Sequence, residues 1–263
     1  MSAMKGWSRT PRIFFASTIL CMAVAVTGCA DLCVSDRVVE GVVAGELDPH
    51  HFVFVCHGML MDLGIPWDLD ARDRMADRGR VGLVVTYWSD PTGVILNWGC
   101  VAPGDLIAAV ADALCEAHDA CACEEPLRFS AVAFSNGCEA LIRSAERAQR
   151  ARFDRWVFVQ SSSISFSEEV SELIAEGRVR EVRNYWSPLD LITLAAPLGA
   201  GNLGLRGPGV ENIAVARLHL PFFSDGFIEE MVGYVAEGAE SSGPHDCRHV
   251  MASSLRRLRT RMR

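Results

Sequence analysis

The chain has 263 residues, half of them hydrophobic, with 25 basic and 33 acidic side chains and a formal charge of −8. That acidic balance argues against nucleic acid as a partner, because no basic surplus exists to neutralise phosphates. The length suits one large domain with a substantial core, and no internal repeat or low-complexity linker divides it.

In chain order, Lys5, Arg9 and Arg12 precede an uncharged, largely apolar run from Ile13 to Val26 that ends in Val26-Thr27-Gly28-Cys29. This is the pattern of a secretory signal, and the run falls short of the roughly 20 residues of a comfortable membrane span. The small residues directly before Cys29 resemble a bacterial lipobox. The resemblance implies that residues 1–28 are removed and that Cys29 carries lipid, anchoring the protein to a membrane of the cell envelope. An uncleaved N-terminal anchor helix is the alternative, and both place the body outside the cytoplasm. Removal lowers the basic count to 22 against 33 acidic residues, a formal charge of −11. It also leaves eight cysteines besides Cys29, an even number that suggests disulfides in an oxidising compartment. Cys100, Cys115, Cys121 and Cys123 form the best group for pairing. A zinc site is the alternative, although C-x5-C-x-C lacks the usual paired spacing. Cys56 and Cys138 lie in expected core elements, where a thiol packs as a small hydrophobe.

Residues 29–50 read as a tether with weak strand character at Val38–Val43, and the domain as residues 51–263. His51-Phe-Val-Phe-Val-Cys56 is a continuous apolar run, as in a parallel strand buried on both faces. A helix is expected over 67–79, a strand over Val81–Tyr87, a turn at Ser89–Gly93 and a helix over Pro103–His118. The alternation continues with strand Phe129–Phe134, helix Gly137–Gln149, strand Trp156–Gln160, helix Ser167–Glu176 and strand Val179–Trp186. A last strand, Asn212–Leu218, precedes helical stretches Ser224–Glu237 and Asp246–Met262. Strands alternating with helices predict an α/β fold, a three-layer α/β/α sandwich on a mostly parallel sheet. The arginines 256, 257, 259, 261 and 263 fit a solvated helix end, with contact to anionic lipid as the weaker alternative.

The segment that carries chemistry is Phe129-Ser-Ala-Val-Ala-Phe-Ser135-Asn-Gly137, where strand passes to helix through Ala133-Phe-Ser-Asn-Gly137. This resembles the nucleophile elbow of α/β-hydrolases, with Ala133 in place of the first glycine of G-x-S-x-G. The plainer alternative is a serine that caps the following helix. His57-Gly58-Met59, directly after an apolar strand, is similar to the family's oxyanion turn. The resemblance implies oxyanion donors at the amides of Met59 and Asn136, with His57 ordering the turn rather than acting as base. Val182-Arg-Asn-Tyr-Trp-Ser-Pro-Leu-Asp190 places a carboxylate just past a strand, where the family keeps its triad acid. An isolated Asp190 could instead be an Asx-type turn former. His219, after the last strand and before Phe222 and Phe223, resembles the family's base. His249 is the next candidate, above all if 224–237 were an inserted lid, and then His245. His50, His51 and His118 read as surface or packing residues.

By resemblance the activity is that of a serine hydrolase, an esterase or lipase-like enzyme that works through Ser135, His219 and Asp190 on a small-molecule or lipid ester, with no metal or organic cofactor. Leu60, Trp67, Trp88 and Trp98 could line an acyl pocket, or simply pack. An amide or thioester hydrolase would use the same triad, and a non-catalytic envelope lipoprotein could retain the same scaffold.

Overall fold

The computed structural model describes residues 30–58, 67–87, 101–121, 125–160, 166–190, 204–216, 218, 223–237 and 247–261. The earliest of these already belong to the domain rather than to a tether. Ala30–Cys33 forms strand β1 and Asp36–Ala44 forms helix α1, in which the Val38 N–H donates to Ser35 Oγ at 3.2 Å and Gly45 closes the end at φ 79°. Val38, Val39 and Val42 all sink into the core. Their spacing is one face of a helix, and burial of that face overrides the strand preference of β-branched side chains.

The remaining elements are β2 (Asp48–Cys56), α2 (Trp67–Asp77), β3 (Arg80–Tyr87), α3 (Val101–Asp119), β4 (Arg128–Phe134), α4 (Gly137–Arg147), β5 (Phe153–Val159), α5 (Ser167–Ala175), β6 (Val179–Trp186), β7 (Val210–Ala214), α6 (Asp225–Ala236) and α7 (Arg248–Arg261). The last strand runs earlier than its expected 212–218. β7 pairs with β6 only as far as Trp186↔Ala214, where the chain of β6 turns away through Ser187-Pro188.

The sheet order is β1-β3-β2-β4-β5-β6-β7, parallel throughout except for β1, which runs antiparallel to β3. Side chains alternate between its two faces. Phe52, Phe54, Phe129, Ala131, Trp156 and Phe158 meet α1, α3, α4, α5 and α7 on one side. Val53, Val55, Val132, Phe134, Val157 and Val159 meet α2 and α6 on the other. Both faces are covered, which gives the expected three-layer α/β/α architecture. Helix α6 buries Ile228, Met231, Val232 and Val235 against the sheet and is therefore one of these layers, not a lid.

Every parallel strand points its carboxyl end at the same edge, where loops of open α/β sheets converge on ligands. Cys56 and Cys138 are fully buried, as expected, and burial pushes both thiols up. No disulfide forms among the described residues: Cys33, Cys56, Cys115, Cys121, Cys138 and Cys247 are free thiols. The expected pairing is not met at Cys115 or Cys121, and Cys121 Sγ instead donates to the Ala117 carbonyl at 3.2 Å. Cys100, Cys123, Cys29 and the apolar run before it lie outside the described residues. Among the described residues no helix is long and apolar enough to cross a membrane.

Candidate active site

Strand β4 ends at Phe134 and α4 begins at Gly137, which leaves two residues to turn the chain. Ser135 takes that turn at φ 52°, a left-handed conformation that a side-chain-bearing residue adopts at a cost of about 1–3 kcal/mol. The conformation is held from both sides. Its N–H donates to the Val159 carbonyl of β5 at 2.8 Å, and its own carbonyl accepts the Cys138 N–H at 3.1 Å. The N-cap position of α4 is taken by Asn136 rather than Ser135, and its side chain makes no cap bond.

Two glycines bring the His57-Gly58 turn against this elbow. A Cβ on Gly137 would stand 2.8 Å from both the Cys56 and the His57 carbonyl oxygens. A Cβ on Gly58 would stand 2.9 Å from Ser135 Cβ and from Phe134 Cδ1. Neither position has room for a side chain, so the spacing between β2 and β4 at their carboxyl ends depends on glycine at both. The His57 ring is buried, and its Nδ1–H donates to the Gly58 carbonyl at 2.8 Å, which orders the turn as expected. Asn136 caps the amino end of α4, and Met59 lies outside the described residues.

Asp190 sits at the same sheet edge, two strands away. Ser187 forms the turn beyond β6: its Oγ accepts the Leu189 N–H at 3.2 Å and its carbonyl accepts the Asp190 N–H at 3.3 Å. The Asp190 carboxylate is thereby carried inward and is 1% exposed. Strands are spaced about 4.8 Å apart, so β4 and β6 end about 10 Å from one another, a gap that one bridging side chain can close from above.

Of the candidate bases, His219 and His245 lie outside the described residues, although Leu218, directly before His219, is described. Its carbonyl accepts a hydrogen bond from Gln160 Nε2 at 2.8 Å. Gln160 follows β5, the strand between those of Ser135 and Asp190, so the Leu218 carbonyl lies at the same edge of the sheet. His249 is placed elsewhere. It is exposed on the first turn of α7 beside Arg248, whose guanidinium covers Gly45 ahead of the amino end of β2. Ser135 stands at the opposite, carboxyl edge, roughly 25 Å away along a nine-residue strand. The structure therefore does not bring His249 to Ser135.

Trp67 packs into the core edge-to-face with Phe223, at 5.1 Å between ring centroids, instead of lining an open pocket. Phe223 in turn packs on Phe134, next to Ser135. Leu60, Trp88 and Trp98 lie outside the described residues. An open cleft of about 460 Å³ bounded by Arg155, Arg183, Glu181 and Tyr234 lies toward the other end of the sheet. Its arginines are already engaged by Glu181, Glu237 and Glu211. His50, His51 and His118 are all buried and serve packing.

Gln160 escaped the sequence reading. Glutamine is not a residue that favours positive φ, and its only signal was its place at the end of a strand before three serines.

No protein-family model matches the chain, and no curated protein matches its sequence. Among solved structures the chain is similar to a predicted CIB-like hydrolase from Thermoplasma acidophilum, with 14% identity over 79% of this chain and 91% of that one and a TM-score of 0.43. It is similar to an esterase of Pyrococcus furiosus, with 12% identity over 71% and 81% and a TM-score of 0.43. A thermophilic esterase of Thermogutta terrifontis is also similar, with 14% identity over 72% and 82% and a TM-score of 0.39.

Proposed function

We propose that this chain is an α/β-hydrolase that cleaves carboxylic esters through a Ser135–His219–Asp190 triad. The observation that carries the reading is Ser135 itself, a non-glycine residue held at φ 52° between strand and helix with the His57-Gly58 turn pressed onto it. A backbone conformation this costly at a nucleophile-bearing residue is what a nucleophile elbow requires. The placement of Asp190 and Leu218 at the same edge, and the chain order serine, aspartate, histidine, add to it.

In the reaction, His219 takes the Ser135 Oγ proton as Oγ attacks the ester carbonyl. The amides of Met59 and Asn136 hold the resulting oxyanion, helped by the positive end of α4. The tetrahedral intermediate collapses by breaking the bond to the alcohol oxygen, which leaves with the proton from His219. Water, deprotonated by the same imidazole, then attacks the acyl-enzyme, and Ser135 regains its proton as the acid departs. Asp190 orients the imidazole and stabilises its cation. Leu60, Trp88 and Trp98 supply apolar surface for the acyl group, so the partner is a small-molecule or lipid ester. Lipidation at Cys29 would hold the enzyme on a membrane of the bacterial cell envelope, which a Cys29→Ser variant tests through loss of lipid incorporation.

The decisive experiment is labelling with a fluorophosphonate probe. Wild type and His249→Ala should label, whereas Ser135→Ala and His219→Ala should not. Folded wild type that does not label would point to a non-catalytic scaffold and end this reading.

A further inference from the structure

We infer that the carboxyl edge of the sheet, where Ser135 turns, is the face this protein lays on a lipid bilayer, so that its ester is drawn from the membrane; the inference rests on the membrane link and the site proposed above. The topology fixes where such a link meets the body. Among the described strands only β1 runs antiparallel: Ala30 pairs with Tyr87, the last residue of β3, and Cys33 with Val84. The chain therefore joins the sheet at its carboxyl edge and is paired from Ala30 onward, one residue after the lipid-bearing position. An uncleaved apolar run ending at Val26 would gain only a few residues, a reach of roughly 14 Å at most. In the order β1-β3-β2-β4, three strand spacings set β1 about 14 Å from the strand that ends beside Ser135. Either form of link holds this edge, and not the opposite one, at the membrane.

The same edge carries apolar side chains that the core does not take. Among the described residues the large hydrophobics left exposed are Leu69, Leu189, Leu218 and Val250. Leu189, 52% exposed, follows β6 in the turn before Asp190. Leu218, 58% exposed, has its carbonyl bound by Gln160, itself at φ 50° directly beyond β5. Leu69 stands in the first turn of α2, and α2 ends at Asp77 just ahead of the amino end of β3, so its first turn lies at the carboxyl edge. Trp67 of that turn accordingly reaches Phe134 through Phe223. Val250, on the first turn of α7, lies toward the other edge. Exposed leucines scattered singly are ordinary, whereas three at the edge that also receives the membrane link give the bilayer an apolar surface to meet. The net acidic charge of the chain supplies no general attraction to anionic headgroups, so apolar contact is what favours this orientation.

Orientation can be read without relying on catalysis. The full chain is bound to phosphatidylcholine vesicles containing a lipid with a photoreactive diazirine on its acyl chain, and cross-links are mapped by mass spectrometry. They should fall at Leu69, Leu189 and Leu218. Cross-links confined to α7, whose arginines offer the competing headgroup contact, or to the amino edge would overturn the orientation, as would a chain that does not float with the vesicles. In a second arm, Leu69→Ser/Leu189→Ser should slow hydrolysis of a long-chain ester carried in the vesicles by on the order of ten- to a hundred-fold and leave hydrolysis of a soluble acetate ester unchanged. An undiminished rate on the vesicle ester, or an equal loss on both esters, would overturn the role of the leucines. Folded wild type that fails to label with fluorophosphonate would end the esterase reading, and the cross-links would still decide which edge faces the bilayer.

Discussion

Replacing Gly58 with alanine tests whether contact between the His57-Gly58 turn and the elbow sets the site. The new Cβ would stand 2.9 Å from Phe134 Cδ1, 2.9 Å from Ser135 Cβ and 3.1 Å from the Phe134 carbonyl oxygen. Carbon atoms are at ease about 3.5–4.0 Å apart, so the two segments must separate by roughly 0.6 Å or more. The Phe134 ring has little freedom to give way, being buried and packed edge-to-face on Phe223 at 5.5 Å. The displacement therefore falls on the turn or on Ser135. Overpacking of this kind costs about 1–3 kcal/mol of stability. A misplacement of about 1 Å can cost on the order of a hundred-fold in rate, so roughly half of that should cost about ten-fold. The assay pairs urea unfolding with the second-order rate of fluorophosphonate labelling, using Gly226→Ala as control. Gly226 lies in the first turn of α6, where an added Cβ meets nothing within 4 Å. Alanine there should add up to about 1 kcal/mol and leave labelling unchanged. A Gly58→Ala protein that labels and unfolds like wild type would show that the contact between the turn and Ser135 does not set the site.

Two further predictions concern the amino end of the sheet. His51 is buried, with Nε2 3.1 Å from Ser130 Oγ, and burial, aided by Arg128, Arg80 and Arg155, lowers its pKa from 6.5 to about 3. The unfolded chain binds a proton that the folded one refuses, so this contribution to stability is whole above about pH 6.5. It is lost as pH falls toward about 3, at up to about 1.4 kcal/mol per pH unit. His51→Gln should flatten that stretch of the urea-midpoint profile, and an unchanged slope would count against the assignment. Asp48 and Arg80 form a largely buried ion pair at 2.9 Å, and Arg80 also donates to the Ala236 carbonyl at 3.2 Å. Arg80→Met strands the Asp48 charge and should destabilise by about 3–5 kcal/mol, with partial recovery in the Arg80→Met/Asp48→Asn double variant. A single variant within about 1 kcal/mol of wild type in urea would show that the pair carries little.

Much of the fold was legible because parallel strands buried on both faces read as short apolar runs, and the helices between them as amphipathic ones. β2, β4 and the elbow were visible in this way, and the glycines at 58 and 137 already marked where two backbones meet. Local pattern is ambiguous elsewhere in the chain. Four valines between 38 and 43 fit a strand by propensity and a helix by spacing, and only the core they enter decided for α1. Cysteine count suggested pairing, but Cys121 turns back onto its own helix.

What the amino-acid sequence determined by itself was the order of strands and helices and the residue type at each strand end, since these follow from periodicity and from turn chemistry within a few neighbouring residues. Adjacency came from the packed fold alone: the order β1-β3-β2-β4-β5-β6-β7, the placement of His249 at the far end of the sheet, and the meeting of Gln160 with Leu218. Gln160 and Leu218 are 58 residues apart in the chain. No local preference of either residue encodes their contact; it exists because crossover helices bring every parallel strand back to end at one edge.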